Sequence, residues 1–358
     1  MKSEIKNYQC QSCGAPMSYS PSKQKLFCEF CNNAQEIKTK IDYNPKKPLN
    51  EGYSNATIDS VEKSVTCPKC GAGYVMPQFL VATRCPYCET PAISQFQNGI
   101  KPPFAIQPFR VSQKKAHEIF AKWIGSLWFA PSELKSVVDT RKKLTGYYLP
   151  YWLFDSDTTS YYSGERGDAY YVDVPVTRVV NGKEETVMQR ERRINWTPVS
   201  GTVGRDFRNI PIVADTKLPK RLLNSISSWG VAKLREFDDR FICGFEGSEY
   251  NRSIENCYSE AKDYMQKRIR ADVRADIGGD EQRISNINTT YKNEMYGYTM
   301  FPVWSTHFRY KGKEYYYVIN GFNGQIAGQR PYSYIKIAIL IFIIVIIGVG
   351  YYYYTQNH

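Results

Sequence analysis

Cys10-Gln11-Ser12-Cys13-Gly14-Ala15 and Cys67-Pro68-Lys69-Cys70-Gly71-Ala72 decide how the first part of this 358-residue chain is read. Each is followed, after fourteen residues, by a second Cys-x-x-Cys pair, Cys28 with Cys31 and Cys85 with Cys88. The second set repeats the first 57 residues later at all four positions. Two residues between thiols let one tight turn aim both sulfurs at a single ion, and a following glycine accepts the positive φ that such a turn often needs. Two such turns on neighbouring hairpins bring four thiolates to a tetrahedral Zn2+, at about 2.3 Å per bond. The spacing lies just below the about 15–20 residues usual for this pattern and leaves room for one short hairpin. The sequence therefore predicts two structural zinc ions, one on Cys10, Cys13, Cys28 and Cys31, the other on Cys67, Cys70, Cys85 and Cys88. Four thiolates leave no open position for water, which points to a structural rather than a catalytic ion.

Disulfides and a redox dithiol are the competing readings of these pairs. Met1 to Tyr8 is polar and lacks the apolar core of a secretory signal, so the expected setting is the reducing cytosol, where disulfides are disfavoured. A redox Cys-x-x-Cys would not require paired motifs at matched spacing. Cys243 and Cys257 stand alone and read as buried structural residues.

The far end of the chain carries a different signal. Ile337 to Tyr354 is 18 residues without a charge. As a helix it would cover about 27 Å, close to the ~30 Å hydrocarbon thickness of a bilayer. Tyr351 to Tyr354 suit the half-wet interfacial belt. Arg309, Lys311, Lys313, Arg330 and Lys336 precede the segment, and only Thr355 to His358 follow it, so the positive-inside rule places the large body in the cytosol. The expectation is a single-pass, tail-anchored protein of the cell membrane with its transmembrane helix over 335–354.

Between these ends the chain is mixed. Residues 41–62 and 96–111 are polar and turn-rich and read as linkers. Ala116, Ile119, Phe120, Trp123, Ile124, Leu127 and Trp128 recur at helical spacing after Ser112, and two more helices are expected over 218–229 and from Ser253 to about Asp272. Tyr147 to Phe154 and Tyr170 to Val180 read as strands, and Asn181-Gly182 is a type I′ hairpin signal. Strands return at 296–310 and 315–319, followed by the turn formers Asn320-Gly321 and Asn323-Gly324. Leu149-Pro150-Tyr151-Trp152 echoes Phe301-Pro302-Val303-Trp304.

Charge and missing motifs limit the functions available. The net charge is +12, from 47 Lys and Arg against 35 Asp and Glu. Such a surplus suits nucleic acid or an anionic membrane face. Residues 1–100, however, hold 11 basic and 8 acidic groups, and two four-thiolate zinc cages, each −2, would turn that +3 into −1. Lys23, Lys25, Lys38, Lys40, Lys46, Lys47, Lys63, Lys69 and Arg84 remain candidates for phosphate contact. No phosphate loop, dinucleotide fingerprint, nucleophile elbow or His-Glu-x-x-His motif occurs. Asp155 with Asp157 and Asp238 with Asp239 are the carboxylate pairs that catalysis would have to use, and no further base or ligand cluster supports them. The expectation is a protein that is not an enzyme.

The double ribbon, the stretch Trp123 to Pro131, the stretch Leu144 to Asp155 and Pro302-Val303-Trp304 together resemble a family of bacterial zinc-ribbon membrane proteins. These are often labelled transcription-factor-IIB-type zinc ribbon-containing or primosomal helicase-like, and the resemblance covers about residues 1–330. It implies a non-enzymatic protein, with the eight cysteines as ligands position by position. It also implies flotillin-like or PspA-like membrane-stress proteins as partners. The chain is accordingly expected to be multidomain α+β. It comprises zinc ribbon 1 (1–40), zinc ribbon 2 (63–95), a β-rich α+β cytosolic domain (112–330) and the membrane helix. Two functions follow: an adaptor that recruits or scaffolds proteins at the membrane and, as the alternative, a tethered nucleic-acid-binding protein.

Overall fold

Thr145–Val180 forms one strand of 36 residues, β1, and the body is assembled on it. A computed structural model describes residues 5–53, 62–96, 100–131, 144–180 and 183–357. The tyrosines, threonines and valines of β1 favour the extended state. Three further long strands follow: β2 (Lys183–Val213), β3 (Glu281–Tyr310) and β4 (Lys313–Asn320). Strands β1 and β2 pair antiparallel from Val180 opposite Lys183 to Tyr151 opposite Val213. That register is what a two-residue hairpin requires, although residues 181–182 lie outside the described residues. On its other edge β1 pairs with β3, from Thr145 opposite Ser305 to Gly167 opposite Glu281. Beyond Gly167, β1 and β2 continue as a two-stranded arm whose side chains are exposed or half-buried where described.

Strand β3 begins well before the expected Tyr296. Its first half is rich in Asn and Thr and has no apolar run to reveal it, but pairing with β1 and cover from a helix hold it extended. The free edge of β3 takes in sequence β4 at 303–310, Ala105–Ile106 at 299–300 and Lys47–Pro48 at 295–296. Both short strands come from the turn-rich segments at 41–62 and 96–111. Sparse anchors in those segments, Leu49, Ala105, Ile106 and Phe109, are buried in the body. The echoed motifs lie side by side, with Leu149 opposite Phe301 across the β1–β3 pair.

Helices cover the sheet. Helix α1 (Gln113–Ser126) starts where Ser112 accepts a hydrogen bond from the Lys115 N–H, and it buries Ala116, Phe120 and Ile124. The helix stops before Trp128, which therefore leaves the apolar stripe and is exposed. Helix α2 is confined to Lys220–Ser225, shorter than 218–229. The carbonyls that would continue it are taken instead by Gln325 Nε2 at Ser225, Asn320 Nδ2 at Ile226 and Asn323 Nδ2 at Ser228. Helix α3 (Ile254–Ile277) runs past Asp272 because Val273 and Ile277 prolong its buried i, i+4 stripe, and Gly278, at φ +66°, ends it. It packs on Trp152, Phe154, Tyr162, Ile210, Tyr296 and Tyr298, while α2 packs against Leu149, Tyr151, Phe301 and Val303.

Helix α4 (Tyr334–Asn357) is long and apolar enough to cross a membrane, and its most apolar stretch is not buried against the protein. The chain is thus two N-terminal four-cysteine clusters, a large β-rich mixed sheet with helices, and one C-terminal apolar helix.

Candidate metal centres

The four Cys-x-x-Cys turns share one backbone design. In the first, Gly14 N–H donates to the Cys10 carbonyl and Cys10 N–H donates to the Ala15 carbonyl, both at 2.8 Å. The same two bonds recur from Asn32 and to Asn33 around Cys28, from Gly71 and to Ala72 around Cys67, and from Glu89 and to Thr90 around Cys85. Each design needs a left-handed residue one position after the second cysteine, and the φ values there are +69° at Gly14, +60° at Asn32, +73° at Gly71 and +55° at Glu89. Glycine meets the demand without cost in the two first turns and Asn32 at little cost, whereas Glu89 is held against its preference.

These turns gather the thiols into two groups. Cys10 Sγ lies 3.4 Å from Cys31 Sγ, and Cys13 Sγ lies 3.5 Å from Cys28 Sγ. In the second group the corresponding distances are 3.6 Å for Cys67 with Cys88 and 3.8 Å for Cys70 with Cys85. Within each group all four sulfurs lie inside 4.8 Å of one another. A regular tetrahedron with metal–sulfur bonds of about 2.3 Å has edges of about 3.8 Å, so the donor sets fit a four-thiolate metal ion.

The local electrostatics point the same way. Backbone N–H groups of Ser12 and then Cys13 draw the Cys10 thiol down to about 6, and the Thr90 hydroxyl, 3.3 Å from Cys88 Sγ, with the Thr90 N–H does the same for Cys88. At Cys31 the Asn33 N–H pulls the other way, yet the neighbouring thiols Cys13 and Cys10 drive it up to about 12. In the first group, then, one thiol is drawn toward its thiolate while another is held back by its neighbours, a competition that a cation among the sulfurs would relieve.

The two groups sit differently in the fold. The first lies on a small sheet of Ser18–Ser20, Lys25–Phe27 and Ala34–Gln35. The second is split between two hairpins. Lys63–Thr66 with Gly73–Met76 stands apart, but Leu80–Arg84 with Pro91–Ser94 belongs to the main sheet. Ala82 pairs with Gly247 of Glu246–Ser248, which in turn pairs with Tyr147 and Tyr148 of β1, and Pro91–Ser94 takes Ile5–Lys6 on its far edge. A buried ion pair, Lys63 with Glu249, secures the second ribbon to the body. Nothing in the sequence linked residues so far apart.

The other candidates are accounted for locally. Asp155 occupies a bulge between β1 and its partners, where it accepts the Asn209 N–H at 2.6 Å and the Lys46 ammonium at 3.2 Å. Asp157 pairs with Arg208 and accepts from Asn293. Asp238 caps a short 3-10 turn and grips Arg240, while Asp239 accepts from Tyr8 and Lys6. Cys243 and Cys257 belong to neither four-thiol group. Cys243 is buried against the first ribbon, its Sγ donating to the Met17 carbonyl at 3.2 Å while its carbonyl accepts the Tyr19 N–H at 2.9 Å. Cys257 is buried on the packed face of α3, and burial pushes each thiol up to about 12. Among the cations of the N-terminal region, Lys25 pairs with Glu36, Lys40 with Glu236, Lys46 with Asp155 and Lys63 with Glu249. Lys23 and Lys47 lie over the rings of Phe27 and Phe104, and Arg84 donates to the carbonyls of Gly244 and Glu89.

The chain is similar to the uncharacterised protein YdjG of Bacillus subtilis (strain 168), with 26% identity over 337 residues, which cover 93% of this chain and 92% of that protein. No family model matches the chain, and no solved structure does.

Proposed function

We propose that this chain is a membrane-anchored zinc-ribbon adaptor. In this reading α4 spans the bilayer, the basic residues Arg330 and Lys336 keep the body on the cytosolic side, and two structural Zn2+ ions hold ribbons that present protein-binding surfaces. The carrying observation is that the second four-cysteine group is built on a hairpin of the body's own sheet, in a chain that also has a helix long and apolar enough to cross a membrane. All-thiolate donor sets favour structural zinc, the carboxylate pairs serve the backbone and neighbouring cations, and most of the ribbon cations named above are already engaged. These features support an adaptor over an enzyme or a phosphate-gripping protein. The resemblance supplies the partner class, flotillin-like or PspA-like proteins of a membrane-stress system.

The test uses the full chain in vesicles, titrated with a purified flotillin-like or PspA-like protein. Co-flotation that is lost when Cys67 and Cys70 are changed to Ser is the expected result. Absence of co-flotation at micromolar concentrations, together with salt-dependent retardation of DNA or RNA, would replace the adaptor with the nucleic-acid reading.

A further inference from the structure

Helix α1 ends at Ser126, and the chain then turns through Leu127 and Ala130, which are buried, while Trp128 between them is 73% exposed. This loop is bonded to the start of the apolar helix. Ser333 N–H donates to the Phe129 carbonyl at 2.7 Å, and the Lys336 ammonium donates to the carbonyls of Trp128 at 3.1 Å and Ala130 at 2.8 Å. Three bonds thus hold the backbone of this loop at the level at which α4 begins. Tyr332 and Tyr334, at the same end of α4, are also exposed. Trp and Tyr concentrate where a bilayer's headgroups meet its acyl chains, because an aromatic body with one polar atom is half wet there.

We infer that the Trp128–Phe129 loop is a second membrane contact, inserted at the headgroup–acyl boundary beside α4. The inference rests on the reading of α4 as a membrane span. A helix that crosses at one point leaves the body free to swing about it. A second aromatic contact, fixed to the first turn by Ser333 and Lys336, restricts that swing and sets which face of the body meets the lipid.

The test is tryptophan quenching of the full chain in phosphatidylcholine vesicles whose acyl chains are brominated near the headgroup. Of the chain's six tryptophans, Trp152, Trp229 and Trp304 are buried. Wild-type emission should be quenched, and Trp128→Phe should remove more than half of the quenching. Lys336→Gln, which breaks two of the three bonds, should lower the quenching while the chain still resists alkaline carbonate extraction. Equal quenching in wild type and Trp128→Phe, with both chains resistant to carbonate, would overturn the inference and leave the span intact. Release of the wild-type chain by carbonate would instead refute the span and the loop contact with it.

Discussion

The Lys63 ammonium lies 3.3 Å from Glu249 Oε1, and neither side chain is appreciably exposed. The lysine also reaches the carbonyl of Gln95 at 3.0 Å and the Ser94 hydroxyl at 3.4 Å, so one charge joins both hairpins of the second ribbon to the body. Removing one partner of such a pair strands the other charge in a dry site. Glu249→Ala should therefore cost about 3–5 kcal/mol in urea unfolding of the full chain in detergent. A double change, Lys63→Met with Glu249→Leu, should recover most of that loss. Additive losses in the double variant would show that the pair is not the source.

The turn geometry predicts opposite effects at equivalent positions. A Cβ at Gly71 would meet nothing within 4 Å, so Gly71→Ala tests the backbone alone, at φ +73°. It should weaken metal retention by about 1–2 kcal/mol, measured by competition with a chelator. Glu89→Gly, at φ +55°, should strengthen it.

Metal content should follow the two donor sets. The purified chain is expected to carry about two zinc ions by elemental analysis, and Cys13→Ser or Cys70→Ser should each remove about one. Chelation should also raise hydrogen exchange at Leu80–Arg84, where the second ribbon joins the main sheet, because folding of such small units is coupled to the metal.

Acid should loosen α3 through Arg205. Hydrogen bonds from the Arg205 guanidinium hold the Asp272 carboxyl below its usual range. A depressed carboxyl contributes fully above the unfolded value of about 3.9 and loses its contribution as pH falls through the lower folded value. Thermal midpoints of the wild type should therefore fall more steeply between about pH 5 and 3 than those of Arg205→Ala.

The metal centres were legible because thiol chemistry ties identity to spacing: eight cysteines in two matched quartets admit few folds. The apolar helix was legible for a similar reason, since composition alone sets its length. Long strands were harder. The polar first half of β3 and the outer half of β1 owe their extension to partners distant in sequence, so no local pattern marks them. The short strands Lys47–Pro48 and Ala105–Ile106 were hidden by polar, proline-containing surroundings, and α2 lost its last turn to amides from another part of the chain. Lys63 read in the sequence as a candidate for phosphate contact, and only the fold buries it against Glu249.

Strand β1 has a mechanical consequence. It runs from the two-stranded arm that ends at Val180 through the core to Tyr147 and Tyr148, where it meets Glu246–Ser248 and, one strand further, the hairpin of the second four-cysteine group. Thirteen residues of arm beyond Gly167 make a lever of about 40 Å, on the usual rise per strand residue. A load on the outer end of that lever travels down one strand to Tyr147 and Tyr148 and then crosses two strand pairings to the hairpin of the second thiol cluster, and the register of β1 against β3 is interrupted on the way at Ser163–Gly164 and at Asp155–Asp157.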